Sequence, residues 1–165
     1  MKQMLAGYKV RPLTEGDIPE ILALCEGNPL YYEHMHTAPS AESIREDMTK
    51  LPRAQVPENK FFLGLFREGK LAAVLDLIVH HPKADTAFIG WFILRADLQG
   101  RGEGSRIMGV LLEELKSSFA YVRLGRVKGN PQSQRFWEKN GFLPTGLELP
   151  LEEDGYTVVV LEKAL

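Results

Sequence analysis

The stretch from Thr86 to Phe119 leaves this chain little choice of fold. Residues 86–94, Thr-Ala-Phe-Ile-Gly-Trp-Phe-Ile-Leu, are apolar, aromatic and β-branched, and they read as a buried strand. From about Ser105 to Phe119 the residues Ile107, Met108, Val110, Leu111, Leu112, Leu115 and Phe119 recur at helical spacing. Between the two lies Gln99-Gly-Arg-Gly-Glu-Gly104, a glycine-rich turn that opens the helix. Such a turn leaves the first helical N–H groups without intrahelical partners, with the positive end of the helix dipole behind them. The result is an anion site, of which pyrophosphate is the usual occupant. Glycine suits the position because a side chain would hold phosphate oxygens off the backbone, and because the turn can demand positive φ.

Two familiar phosphate loops do not fit. The dinucleotide pattern G-x-G-x-x-G fails because Ile107 stands three residues after Gly104, and no Gly-Lys-Ser/Thr follows as in an ATP or GTP loop. The spacing that is present is Gln99-x-x-Gly102-x-Gly104. Charge is distributed to match. Residues 95–139 hold nine Lys and Arg against five Asp and Glu, although the whole chain carries a formal charge of −2. The basic surplus surrounds the turn, and the acidic remainder either suits a cationic partner or reflects solvated faces that simply differ in charge. The net charge gives no reason to expect a nucleic acid or an anionic membrane as partner.

The 165 residues suit one domain spanning 1–165, which would bury roughly 70% of its unfolded surface. No charged and apolar leader opens the sequence, and no apolar run approaches the ~20 residues that span a bilayer, so a cytoplasmic protein is expected. The lone Cys25 is expected to be a buried apolar residue.

In chain order, Tyr8–Leu13 predicts a first strand and Thr14-Glu-Gly-Asp17 a helix start, with Ile18, Ile21, Leu22 and Cys25 as the buried stripe. Gly27-Asn-Pro29 stops that helix, and Ser40 caps a second one through Leu51. The intervening Leu30-Tyr-Tyr-Glu-His-Met-His36 reads as a loop, either plainly packed or forming a substrate wall through Tyr31 and Tyr32. Its histidines lack the further ligands of a metal site, so no metal is expected. Strands follow at 61–66 and 71–79, joined by the turn Arg67–Lys70. The second is apolar on both faces and therefore central. Asp76 sits in its middle, where a carboxylate must be paired, hydrogen-bonded or held at a wet functional cleft. After the strand and helix already described come a strand at 121–128 and a short helix to Asn140. Asn130 caps that helix and Pro131 takes its first position. A last clear strand covers 157–162, after the turn Glu152–Gly155. The order β-α-α-β-β-β-α-β-α-β-β describes an α/β (α+β) domain. Its sheet is mixed, twisted and mostly antiparallel, with about six or seven strands flanked by about four helices.

Two motifs in register now carry a resemblance. Gln99-x-x-Gly102-x-Gly104 is followed by a helix, a strand, and then Asn130-Pro-Gln-Ser-Gln-Arg-Phe-Trp-Glu-Lys-Asn-Gly-Phe142. The pair resembles the acyl-CoA loop and the second signature of the GNAT superfamily of N-acetyltransferases, and the element order agrees. The resemblance implies acetyl-CoA as cofactor and an amine, on a small molecule or a peptide, as acceptor. It implies that backbone near Phe92, Ile93 and Leu94 meets the pantetheine arm. Gln99, Gly100, Arg101, Gly102, Glu103, Gly104, Ser105 and Arg106 would surround the pyrophosphate. Asn130 and Ser133 would serve the pantetheine, with Phe136 and Trp137 near the sulfur. The strands ending near Leu94 and Lys128 would splay to admit the cofactor.

Two positions depart from that pattern. Glu103 fills a slot that is usually apolar, adding negative charge beside the phosphates. Trp137 stands where many relatives carry Tyr as general acid, and indole cannot serve. An amine of pKa ~10.4 needs about 4–5 kcal/mol to reach its nucleophilic form at pH 7, so a base is expected. Asp76 is the catalytic candidate, because no other acid falls inside the strands of the central sheet. Transfer of another acyl group, or a CoA-binding regulatory module without turnover, are the alternatives, and homodimerisation stays open.

Overall fold

A computed structural model describes residues 3–165. Their strands form one eight-stranded sheet: β1 (Met4–Leu5), β2 (Tyr8–Pro12), β3 (Lys60–Arg67), β4 (Lys70–Val79), β5 (Thr86–Leu94), β6 (Tyr121–Val127), β7 (Leu143–Leu151) and β8 (Tyr156–Ala164). The spatial order is β1-β2-β3-β4-β5-β6-β8-β7, antiparallel throughout except for the parallel pair β5–β6. The helices are α1 (Ile18–Glu26), α2 (Pro29–Glu33), α3 (Ala41–Thr49), α4 (Glu103–Leu115) and α5 (Pro131–Lys139). The class is the one the sequence predicts. The count is higher by the two-residue β1 and by α2, which occupies part of the stretch read as a loop. Five residues behind Asn28 are too few to show a helical period, so α2 left no pattern to detect.

Local chemistry explains the other boundaries. Thr14 donates its backbone N–H to Asp17 Oδ2 at 2.8 Å, closing a 3-10 turn over Glu15–Asp17 before α1 begins. Ser40 Oγ accepts from Ser43 N at 3.0 Å and starts α3. Asn130 Oδ1 accepts from Ser133 N at 3.2 Å and starts α5, with Pro131 at its first position. From Leu71 to Ile78 every residue of β4 is buried, as its unbroken apolar run requires of a strand covered on both faces.

Those two faces form separate cores. On one, Ile107, Met108, Leu111, Leu112 and Leu115 of α4 pack with Leu75, Leu77, Ile89, Leu124 and Trp137. On the other, Ile18, Ile21, Leu24 and Cys25 of α1 and Ile44 of α3 pack with Phe62, Val74, Trp91 and Ile93. Cys25 is a free, buried thiol there.

Candidate active site

Strand β5 changes character halfway along. Its register against β4 shifts between Asp76 and Leu77, so that Leu77 opposes Ile89 while Asp76 opposes Trp91, and Gly90 is the extra residue of a β-bulge. The bulge reverses which face each later residue meets. Before it, Ala87 and Ile89 belong to the α4 core; after it, Trp91 and Ile93 belong to the α1 core. Gly90 is needed for space. A Cβ there would lie 2.8 Å from Asp76 Oδ2. The parallel pairing of β5 with β6 covers only Thr86–Ile89 against Tyr121–Leu124. Beyond it, 90–94 and 125–127 have no ladder between them, and the two strands part.

On the α4 side of this opening lies the glycine turn. Gly102 is the residue before α4 and has φ +78°, in the left-handed region that favours glycine, as does Gly100 at +80°. Neither has any atom within 4 Å of where a Cβ would sit, so their backbone faces open space. Gly104 serves differently: a Cβ there would meet the Phe136 ring at 3.0 Å, so it sets the approach of α4 to α5.

The charged residues of the turn are arranged in pairs. Glu103 accepts from the Tyr8 hydroxyl at 2.7 Å and from Arg106 Nε at 3.1 Å, with the Arg67 guanidinium 3.7 Å away. Chiefly through the Arg106 hydrogen bonds, its pKa is held down to about 2. The carboxylate that the sequence sets in the glycine turn is thus compensated by two guanidinium groups. Arg101 donates to the carbonyl of Asp97. The Gln99 amide donates to the Leu94 carbonyl at 2.7 Å and to Asn28 Oδ1, while Asn28 Nδ2 donates to the same Leu94 carbonyl at 3.2 Å. Gln99 therefore ties the turn to the end of β5. Ser105 Oγ accepts from Asn140 Nδ2 at 3.2 Å, linking α4 to the end of α5.

Phe92 and Phe136 stack at 6.1 Å beside the opening, both half-buried. Trp137 is 8% exposed and packs edge-on to Phe136 and Phe142 inside the α4 core. Arg126, on the free edge of β6, has a buried Nε without a partner.

On the α1 face, reaching the bulge at Gly90 and Trp91, is a cavity of about 410 Å³. Asp76 lines it with Tyr31, Tyr32, Asp47, Trp91 and Tyr156. The structure therefore brings together the sequence candidates Asp76, Tyr31 and Tyr32, although 44 residues separate Tyr32 from Asp76 in the chain. Asp76 is 7% exposed and is held by Lys60, whose Nζ lies 3.0 and 2.9 Å from its two oxygens. Lys60 Nζ also donates to the Lys50 carbonyl at 2.8 Å. Burial pushes the Asp76 carboxyl up, and the lysine opposes that shift. A neighbouring recess of about 440 Å³ is lined by Glu33, His34, His36, Lys128 and Tyr156. Among the described residues no group of three or more His, Cys, Asp or Glu could hold a metal ion.

Lys60, Asp47, Gly90, Trp91 and Arg126 carry no sequence motif. Only Gly90 left a signal, as a glycine inside an otherwise β-branched and aromatic strand.

This arrangement coincides with a known family. The model of the Acetyltransferase (GNAT) family matches residues 23–142, and the chain belongs to that family. It is an acyltransferase family whose donor is acetyl-CoA. Among curated proteins none matches the sequence. Solved structures share the fold at low identity. An acetyltransferase from Thermus thermophilus superposes with TM-score 0.77 at 20% identity, covering 100% of both chains. The ribosomal-protein-S18-alanine N-acetyltransferase of Escherichia coli gives 0.66 at 17%, covering 95% of this chain and 93% of its own. The PaiA N-acetyltransferase of Thermoplasma acidophilum, solved in complex with coenzyme A, gives 0.68 at 18%, covering 96% and 99%.

The residues present fit acetyl-CoA. Open backbone at Gly100 and Gly102, the N-terminus of α4, and unpaired edges of β5 and β6 suit a phosphorylated ligand with a long polar arm. No described helix is long and apolar enough to cross a membrane.

Proposed function

We propose that this chain transfers an acetyl group from acetyl-CoA to a primary amine of a small molecule or peptide. One observation carries the reading: a glycine-lined helix N-terminus, strands β5 and β6 that lose their ladder after Ile89 and Leu124, and a carboxylate-bearing cavity lined by Gly90 and Trp91 occur together. The N–H groups of Gly100–Gly104 hold the pyrophosphate, with Arg101 and Arg106 adding positive charge. Backbone of Phe92, Ile93 and Leu94 orients the pantetheine, with Asn130 and Ser133 beside it and Phe136 flanking the arm. The Leu94 carbonyl, already taken by Gln99 and Asn28, serves by fixing the strand end. Acetyl-CoA, when bound, supplies an activated thioester.

The acceptor amine enters from the Tyr31 and Tyr32 side as an ammonium ion. Asp76, against the bulge, takes its proton through water, and Lys60 holds the carboxylate in place. Trp137 is buried packing beneath Phe136 and supplies no proton. That residue is also what favours the second reading, a CoA-binding module without turnover. An amine and peptide panel assayed for CoA release, with the product identified by mass spectrometry, separates the two. Acetylated amine is expected. CoA release without acetylated amine, or no release from protein saturated with acetyl-CoA, would overturn the transfer reading. Replacing acetyl-CoA by longer acyl donors in the same assay tests acyl preference.

A further inference from the structure

Within the α1-face cavity, Asp47 of α3 differs from Asp76. Asp76 has Lys60 on both oxygens, and Lys60 also donates to the Lys50 carbonyl, so the Asp76 charge already has a cationic partner. Asp47 is half-buried, and its carboxylate has no hydrogen bond or ion pair among the described residues. Lys50 and Lys60 act on it from one side and Glu46 from its own helix, but neither lysine comes within ion-pair distance. Its charge also reaches Tyr31, Tyr32, Tyr156 and Asp76, which places it among the groups lining the cavity.

Around it stand aromatic walls. Tyr31 and Tyr32 meet edge to face at 5.0 Å, and Trp91 and Tyr156 complete the lining. Trp91 is 9% exposed, yet its Nε1 has no hydrogen-bond partner, the nearby Tyr31 hydroxyl lying outside hydrogen-bond geometry. The Asp47 carboxylate thus lines the cavity without a partner, beside the unpartnered Trp91 Nε1 and the Lys50 side chain. A hydrocarbon occupant such as a long acyl chain would leave the Asp47 carboxylate desolvated and unsatisfied. An anionic occupant would face Asp47 directly. A cation fits, because it can pair with the carboxylate while lying against the electron-rich faces of Tyr and Trp rings.

Resting on the acetyl-transfer reading, we propose that this cavity selects an acceptor with a second positive charge. That charge is held by Asp47 and the rings of Tyr31, Tyr32, Trp91 and Tyr156 while the reacting amine lies at the Asp76 end. Asp76 touches the bulge where the strands part, whereas Asp47 lies on α3, beyond the Lys60 bridge. The acceptor class is an amine with a further ammonium or guanidinium several bonds away, as in an α,ω-diamine or a peptide with a basic side chain.

The test is calorimetric, with 1,4-diaminobutane, butylamine and 4-aminobutanoate as probes. Each is titrated into the full chain, both free and saturated with CoA. The diamine is expected to bind roughly tenfold or more tighter than butylamine, the size of one charge-assisted contact, and the aminobutanoate weakest. Asp47→Asn keeps the shape and should abolish the diamine preference, bringing the diamine and butylamine to similar affinity. Asp47→Glu should restore part of it. Equal binding of diamine and butylamine, preference for the aminobutanoate, no binding of any probe, or a preference that survives Asp47→Asn would each overturn the proposal. The thermal shift with acetyl-CoA reports separately on the transfer reading. Diamine preference without any acetyl-CoA shift would sink acetyl transfer and leave the cation site standing.

Discussion

Among single residues, the Asp76–Lys60 pair decides how a mutant can be interpreted. The lysine side chain is 6% exposed, and removing its partner leaves a buried cation. Breaking a buried pair from one side typically costs about 3–5 kcal/mol. Asp76→Asn should therefore lower stability by up to that amount in denaturant unfolding, while Asp76→Asn combined with Lys60→Met should recover much of it. If Asp76 is also the base, kcat/KM should fall by about 10²–10⁴-fold in both variants, with acetyl-CoA affinity preserved. Recovery of stability together with full activity in the double variant would leave Asp76 a purely structural role. Glu103 offers a second prediction. Its folded pKa, near 2, lies below the ordinary value of 4.5, so its contribution is present above that value and disappears as pH falls through 2. Glu103→Gln should melt below the wild type at pH 6, and the two melting temperatures should converge between about pH 4.5 and 2. A gap that persists at pH 2 would contradict this pairing.

Among the elements, the turn between β5 and α4 carries two kinds of glycine. Gly102 provides positive φ and an open approach, whereas Gly104 provides clearance from Phe136. Gly102→Val should strain the turn and obstruct the backbone. Gly104→Val should chiefly disturb the packing of α4 on α5. Acetyl-CoA should raise the melting temperature of the wild type by mass action, with NAD and ATP at equal concentration doing far less. That shift should be lost in Gly102→Val. An undiminished shift in a folded Gly102→Val protein would remove the basis for a phosphate site here. The bulge in β5 is the other decisive element. One extra residue sends Trp91 to the cavity and Phe92 to the α4 face, where it stacks on Phe136.

Across the molecule, the amino-acid order alone was enough for the elements whose causes are local. The strand at 86–94, the glycine turn, the period of α4 and the Asn130 cap each follow from neighbouring residues, and together they define the class of fold and the cofactor half of the candidate site. Burial of β4 was legible because an apolar run on both faces has only one stable setting. Hydrogen-bond partners distant in sequence were not legible. Nothing near Asp76 announces Lys60, nothing near Glu103 announces Tyr8 or Arg67, and the five residues of α2 show no period. The cavity on the α1 face was assembled by tertiary packing. Its walls come from α2, α3, β4, β5 and β8, brought together by sheet order and by the change of face at Gly90. Side-chain charges meet there through space, and their pairing depends on distances that no local pattern encodes.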